Sequence, residues 1–172
     1  MWHSTLADFD GTVTNEPELA LCLISADCAP VYLVDPVKRC IGLSHSGRHG
    51  TELNIAANTV KMLTLCYGSD PADIVAVIGP CICKNCYHVD CDTAHAFASS
   101  FRTDWRPALV SERDGKYFLD IARAIALQLE EAGVNQIRMP EYCTCHHDDF
   151  YSYRGGDGDD SNASWLMLNK TF

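Results

Sequence analysis

The chain has 172 residues, 47% of them hydrophobic and 21% charged, with ten cysteines and a formal net charge of −10. That length suits one domain with a sizeable core, the composition is far from the disordered and membrane classes, and an acidic chain with scattered Lys and Arg argues against nucleic acid as a partner. No apolar run reaches the roughly 18 residues of a membrane span, and Met1-Trp2-His3 opens no basic-then-apolar leader, so a cytoplasmic protein with reduced cysteines is expected.

Residues 1–17 are polar and turn-rich, with Asp8-Phe9-Asp10-Gly11 marking a bend. Glu18 to Ala26 is a continuous apolar run that reads as a strand of a buried sheet, and Pro30 to Asp35 with Arg39 to Ser44 reads as a hairpin. If Asp35-Pro36-Val37-Lys38 is its turn, partner numbers sum to about 73, which sets Cys28 opposite His45 with both side chains on one face. Thr51 is predicted to cap a helix that runs to Gly68, with Glu52 in its first turn. A helix start so close to His45 would offer N–H groups to an anion such as phosphate. Asp73 to Ile78 is another buried strand, ended by Gly79-Pro80. Asp92 is predicted to cap a helix through Phe101, and Phe118 to Ala132 is an amphipathic helix stopped by Gly133. Asn135 to Met139 and Ser164 to Leu168 read as short strands, and strands mixed with helices point to an α/β or α+β domain.

Four groups carry candidate chemistry. Cys28 with His45 supplies only two donors, whereas catalytic zinc usually takes three from the protein, and His3 is the available third; the alternative is a buried cysteine beside a structural histidine. Cys81, Cys83, Cys86 and Cys91 with His88 resemble a zinc knuckle, but their C-x-C-x2-C-x4-C spacing shows no matching second half. Cys143, Cys145, His146 and His147 would either bind a metal alone, close over the first site, or form a polar loop. Tyr151-Ser152-Tyr153-Arg154 offers an aromatic face and a guanidinium, suited to a ring plus a phosphate or carboxylate, or else half-buried strand aromatics with an exposed arginine. Asp157-Gly158-Asp159-Asp160 lacks the spacing of a calcium loop.

In chain order, Val13-Thr14, Ser25-Ala26-Asp27-Cys28-Ala29-Pro30-Val31 and Leu43-Ser44-His45-Ser46-Gly47-Arg48-His49-Gly50-Thr51 resemble the YfiH, or laccase-domain, family. Gly79-Pro80-Cys81-Ile82, Cys86-Tyr87-His88-Val89, Cys143-Thr144 and Phe150-Tyr151-Ser152-Tyr153-Arg154 extend the resemblance over nearly the whole chain. It implies a single layered α/β sandwich of mixed sheet and helices over residues 1–172, a fold shared with a cytotoxic necrotizing toxin whose Cys-His pair is catalytic. It implies zinc held by His3, Cys28 and His45, and leaves the Cys81–Cys91 cluster without a family role. The implied activity is phosphorolysis of adenosine, inosine, guanosine or S-methyl-5'-thioadenosine to base and ribose 1-phosphate, with hydrolytic deamination of adenosine. Cys28, His45 and Arg48 are then the expected catalytic residues, and Arg48, His49, Gly50, Thr51 and Arg154 the expected phosphate and substrate contacts.

A monomer or homodimer with nucleoside and phosphate as its partners is expected. Rival family readings are a copper polyphenol oxidase, for which seven sparse histidines are a poor ligand supply, a peptidoglycan-precursor editing hydrolase, and a zinc-binding relative without turnover. Family members carry a longer segment ahead of the first zinc histidine. The resemblance therefore implies an N-terminally short domain, with His3 near a free terminus and a sheet edge left uncovered. The family also tends to Trp-Arg where this chain has Arg48-His49.

Overall fold

A computed structural model describes residues 9–170. The chain runs through β1 (Gly11–Thr14), β2 (Ala20–Ser25), β3 (Ala29–Asp35), β4 (Cys40–Ser46), α1 (Arg48–Glu52), α2 (Ile55–Tyr67) and β5 (Val75–Ile78). It continues through β6 (His88–Val89), α3 (Cys91–Ser99), α4 (Arg106–Leu109), β7 (Val110–Arg113), β8 (Lys116–Leu119), α5 (Ile121–Glu131), β9 (Gln136–Arg138) and β10 (Asn162–Met167). This is the mixed α/β class that the sequence predicts.

Strand alternation builds the layers. The central sheet has five strands in the order β1-β4-β3-β5-β9, antiparallel except for the β5–β9 pair. On one of its faces Ala29, Val31 and Leu33 of β3 share a core with Val60 and Leu63 of α2 and Ile125 and Leu129 of α5. On the other face Ile41 and Leu43 of β4 meet Leu21 of β2, with Tyr32, Val34 and Leu166 packed alongside. A β2–β10 ribbon therefore covers the second face and leaves a helix–sheet–sheet sandwich. Each fully buried Leu or Ile contributes about 1.5–3 kcal/mol, so residues alternating to both sides of β3 and β4 hold the sheet between its two covers. A separate core around Phe97, Leu109, Leu119 and Ile121 seats α3, α4 and α5 on the three-stranded β6-β8-β7 sheet.

Several local expectations are corrected. The run from Glu18 to Ala26 does not lie in the buried sheet, for β2 pairs only with β10 and leaves Ile24 71% exposed. The hairpin pairs Asp35 with Cys40 and Pro30 with His45, two residues out of the predicted register. The cause is the Asp35 side chain: Oδ1 accepts from the N–H groups of Val37 (2.8 Å) and Lys38 (2.9 Å), and Arg39 takes a left-handed φ of 53° to lengthen the turn. A slip of two residues preserves the face. Cys28 and His45 thus still point the same way, as diagonal neighbours rather than a directly opposed pair.

The predicted helix from Thr51 to Gly68 is broken at Asn54, which has φ 60° and precedes α2; α1 is capped by Gly47, and Gly68 ends α2 at φ 68° as expected. Asp90 rather than Asp92 caps α3, accepting from the Thr93 N–H at 2.7 Å. Phe118 and Leu119 belong to β8, and Asp120 caps α5 by accepting from the Arg123 N–H at 2.9 Å. The β7–β8 hairpin was signalled by Asp114-Gly115, both at positive φ (52° and 72°), the turn chemistry of a two-residue hairpin.

Helix α2 sits close against β4 because residue 42 is glycine: a Cβ there would lie 2.9 Å from Thr59 Cγ2 and 3.3 Å from Val13 Cγ1. Gly42→Ala should lower stability by about 1–3 kcal/mol through overpacking. Adding Thr59→Ser removes Cγ2 but keeps the hydroxyl that donates to the Ile55 carbonyl, and should recover part of the loss. Urea unfolding of both variants measures this, and an unchanged midpoint in Gly42→Ala contradicts it.

Candidate active site

The connection between β2 and β3 turns sharply at Asp27, whose φ of 81° is uncommon for a residue with a side chain. Asp27 is buried at 8% exposure. A carboxylate there needs partners to offset its desolvation, and all of them come from far along the chain. Oδ1 accepts from the Thr144 hydroxyl at 2.6 Å and the Ser152 hydroxyl at 2.7 Å, and Oδ2 accepts from the Arg154 N–H at 2.8 Å. The Asp27 carbonyl also accepts from the Ile82 N–H at 2.9 Å. Nothing local in the sequence marks Asp27, an acid whose donors lie 117 to 127 residues away.

Cys28 follows directly. A Cβ on Gly47 would stand 2.6 Å from Cys28 Sγ and 3.9 Å from His45 Cε1, so the glycine makes room for the sulfur beside the imidazole. His45 Nδ1 lies 3.2 Å from Asp10 Oδ1, and the His45 N–H donates to the Asp10 carbonyl at 2.7 Å. The His45 imidazole is pushed up to about 9, first by its hydrogen bond with Cys28, against the opposing effect of burial, and further by Asp10. With Nδ1 oriented by the Asp10 carboxylate, the other ring nitrogen can ligate once its proton is released. A thiol beside such an imidazole is a donor set that fits zinc. The third expected ligand, His3, lies outside the described residues.

Cys28 lines a cleft of about 210 Å³ together with Arg48, Ile82, Tyr87, Tyr153 and Arg154. Arg48 Nη1 donates to Glu52 Oε1 at 2.7 Å, Arg154 Nη1 donates to the His88 carbonyl at 2.7 Å, and the Arg154 guanidinium sits 5.0 Å from the centre of the Tyr87 ring. Burial raises the Tyr87 phenol while Arg154 and Arg48 both draw it down, so two cationic groups act on one aromatic wall. Each guanidinium keeps further N–H donors for an anion. A larger hollow of 500 Å³ near Lys84, Pro107 and Arg123 has neither thiol nor imidazole in its lining.

The structure does not bring His49, Gly50 and Thr51 into this lining. The His49 side chain is 77% exposed and pairs with Glu52 at 3.5 Å. Gly50 lies tight under β4, where a Cβ would come 3.1 Å from the His45 carbonyl. Thr51 is buried; its N–H (2.8 Å) and hydroxyl (2.7 Å) both donate to the Gly47 carbonyl, and its own carbonyl accepts from Gln128 Nε2 at 2.7 Å. The Thr51 N–H is therefore taken by the Gly47 carbonyl, and the Thr51 carbonyl braces α1 against α5.

The remaining cysteines regroup. Cys81 is buried in the central core, and burial pushes its thiol up to about 12. Cys91 is exposed beside His95, with Sγ 3.7 Å from Nδ1. Cys83 and Cys86 meet Cys143 and His146 instead, and one ligand atom from each of the four lies within 4.8 Å of the others, a group able to hold a metal. The missing second half of the knuckle is thus Cys143-x2-His146. Cys145 packs on the second core, and His147 lies against the Tyr142 (4.8 Å) and Phe150 (5.5 Å) rings, so this stretch does not close over Cys28.

The profile of a family described as multi-copper polyphenol oxidoreductase laccase matches residues 2–167. Purine nucleoside phosphorylase YlmD of Bacillus subtilis is 36% identical over 160 residues, covering 91% of this chain and 57% of that protein. Purine nucleoside phosphorylase LACC1 of Mus musculus is 33% identical over 153 residues, covering 84% of this chain and 34% of that protein. The crystal structure of the hypothetical protein YfiH of Bacillus licheniformis superposes with a TM-score of 0.85 at 35% identity, over 93% of this chain and 61% of that one. The chain therefore spans about a third to three-fifths of the length of the proteins it matches.

Asp27→Asn keeps the shape of the side chain but replaces one acceptor oxygen with an amide NH2 that faces a donor. It should lower stability by about 1–3 kcal/mol, whereas Thr144→Val, which removes one donor and leaves two, should cost nearer about 1 kcal/mol. Denaturant midpoints compare the two, and an Asp27→Asn protein as stable as the parent would contradict the role given to this carboxylate.

Proposed function

The chain belongs to the multi-copper polyphenol oxidoreductase laccase family, and on that premise we propose that it is a purine nucleoside phosphorylase working as one domain over residues 1–172. The observation that carries this reading is the convergence of Cys28, Arg48, Tyr87 and Arg154 on a single cleft with His45 beside the thiol. Two curated relatives bear the same activity in their names. A copper oxidase needs histidine-rich ligation, and among the described residues the cleft offers one thiol and one imidazole.

In phosphorolysis the glycosidic C1'–N bond of the nucleoside breaks, a bond forms from a phosphate oxygen to C1', and the proton of hydrogen phosphate ends on the released base. Arg48 and Arg154 hold the phosphate as charge-assisted forks. Glu52 and the His88 carbonyl fix one nitrogen of each guanidinium, which leaves the others aimed by position rather than by search. Tyr87 walls the cleft, and Tyr153, 69% exposed at its mouth, supplies a face for the purine. Asp27 aligns the backbone of Arg154 and the turn that carries Cys28, which makes it a positioning residue. Cys28 and His45, with His3, would hold a zinc ion that polarises bound water or substrate oxygen when present. The same cleft would take adenosine, inosine, guanosine or S-methyl-5'-thioadenosine, and would support replacement of the adenine amino group by water with loss of ammonia.

Incubating metal-quantified protein with adenosine, with and without phosphate, separates the two reactions: adenine should appear only with phosphate, and inosine in both. Cys28→Ser should abolish turnover. Arg154→Ala should raise the KM for phosphate about ten- to a hundredfold, as expected for a lost charge-assisted hydrogen bond of about 1.5–3 kcal/mol. Absence of both products, or full turnover in Cys28→Ser, sinks this reading.

A further inference from the structure

A second cluster of soft donors lies behind the wall of the cleft. Its two halves have the same form. Cys83-x2-Cys86 is a tight turn in which the Cys86 N–H donates to the Cys83 carbonyl at 3.0 Å, and Cys143-x2-His146 is a matching turn in which the His146 N–H donates to the Cys143 carbonyl at 3.1 Å. The halves sit side by side because residues 81 and 143 form a parallel bridge, with the Thr144 N–H donating to the Cys81 carbonyl at 3.2 Å. Four ligand atoms, one from each residue, fall within 4.8 Å of one another, and His146 Nε2 stands 2.9 Å from Cys86 Sγ. The backbone N–H of Cys83 points at Cys143 Sγ at 3.3 Å, the hydrogen bond that a metal-bound thiolate accepts.

We propose that Cys83, Cys86, Cys143 and His146 form a structural zinc site, separate from the Cys28–His45 pair, that clamps the loop carrying Arg154 against the wall of the cleft. Three sulfurs and one imidazole nitrogen, paired with two residues between them in each half, make the closed tetrahedral set of structural zinc. Zn–S bonds of about 2.3 Å place tetrahedral ligands about 3.8 Å apart, so a small inward closure of the observed cluster completes the shell. Binding forms three Zn–S bonds and one Zn–N bond and releases the thiol protons to solvent.

The location gives the site its purpose. Each ligand turn has a neighbour in the cleft or its support: Ile82 precedes Cys83, Tyr87 follows Cys86, and Thr144, which donates to Asp27, follows Cys143. His88, whose carbonyl holds Arg154, lies two residues past Cys86. Cys86 and His146 are 60 residues apart. Their shared metal closes a long loop by a cross-link whose benefit grows with the chain enclosed. Cys81 is buried in the central core and Cys91 is exposed, while Cys145 lies within hydrogen-bond reach of Cys86 and packs with it on the second core.

The test is zinc content per chain by plasma mass spectrometry on the full-length protein. Cys86→Ser and Cys143→Ser should each lose about one equivalent relative to the parent, Cys28→Ser should keep that equivalent, and Cys91→Ser should match the parent. Cobalt substitution should add intense sulfur-to-metal charge-transfer bands that survive in Cys28→Ser. Where the serine variants do not fold, His146→Cys keeps four soft ligands and should shift the cobalt spectrum without loss of loading. Unchanged zinc content in Cys86→Ser and Cys143→Ser, an unshifted cobalt spectrum in His146→Cys, or an intact mass showing a disulfide among these three cysteines overturns the site.

Discussion

The cleft depends on one buried acid. Asp27 is held in an unfavourable left-handed backbone conformation and removed from water, and both costs are offset because three donors from the last third of the chain converge on its two oxygens. The consequence is geometric. The residue after it, Cys28, and the residue whose backbone binds it, Arg154, are placed on the same cleft although they are far apart in sequence. The thiol and the guanidinium are thus fixed by one set of hydrogen bonds.

Around that hub, small residues allow close approach. Gly47 leaves space for the Cys28 sulfur, and Gly79 lies where a Cβ would strike the Pro30 ring at 2.8 Å and the Tyr32 ring at 2.9 Å. Gly42 and Gly11 let α2 lie against the sheet, with Thr59 filling the gap over both. The sheet that carries His45, with Cys28 just ahead of its β3 strand, is covered by helices on one face and by the β2–β10 ribbon on the other. The two cysteine systems then serve different ends. Cys28 faces the cleft, while the Cys83–Cys86–Cys143–His146 cluster stands behind its wall and fixes the loop from which Thr144, Ser152 and Arg154 reach back to Asp27.

How much of this was legible in the sequence follows from the range of each interaction. Local chemistry read well: the left-handed glycines at 68 and 133 stop α2 and α5, and the hairpin of β3 and β4 is where the proline turn put it. The Cys28–His45 relation survived a register error because a two-residue slip does not change face. The slip itself came from a side chain, Asp35, that closes the turn from outside the usual backbone pattern. Thr51 has the look of an N-cap, yet Gly47 starts the helix and the threonine hydroxyl turns inward to the Gly47 carbonyl. Long-range chemistry was beyond reach. C-x2-C and C-x2-H halves are weak signals alone, and the parallel bridge between residues 81 and 143 is what makes them one cluster. Asp27 was invisible for the same reason, since its partners become neighbours only once the loop of Thr144 to Arg154 folds back onto the turn between β2 and β3.

On the proposed reading, a purine nucleoside and phosphate meet in the Cys28 cleft. Crystals grown with phosphate and a non-cleavable inosine analogue test it most directly. The expected result is phosphate density bridging Arg48 and Arg154 with the purine between Tyr87 and Tyr153. Density for both molecules in the hollow near Lys84 and Arg123, with the Cys28 cleft filled only by solvent, would contradict it.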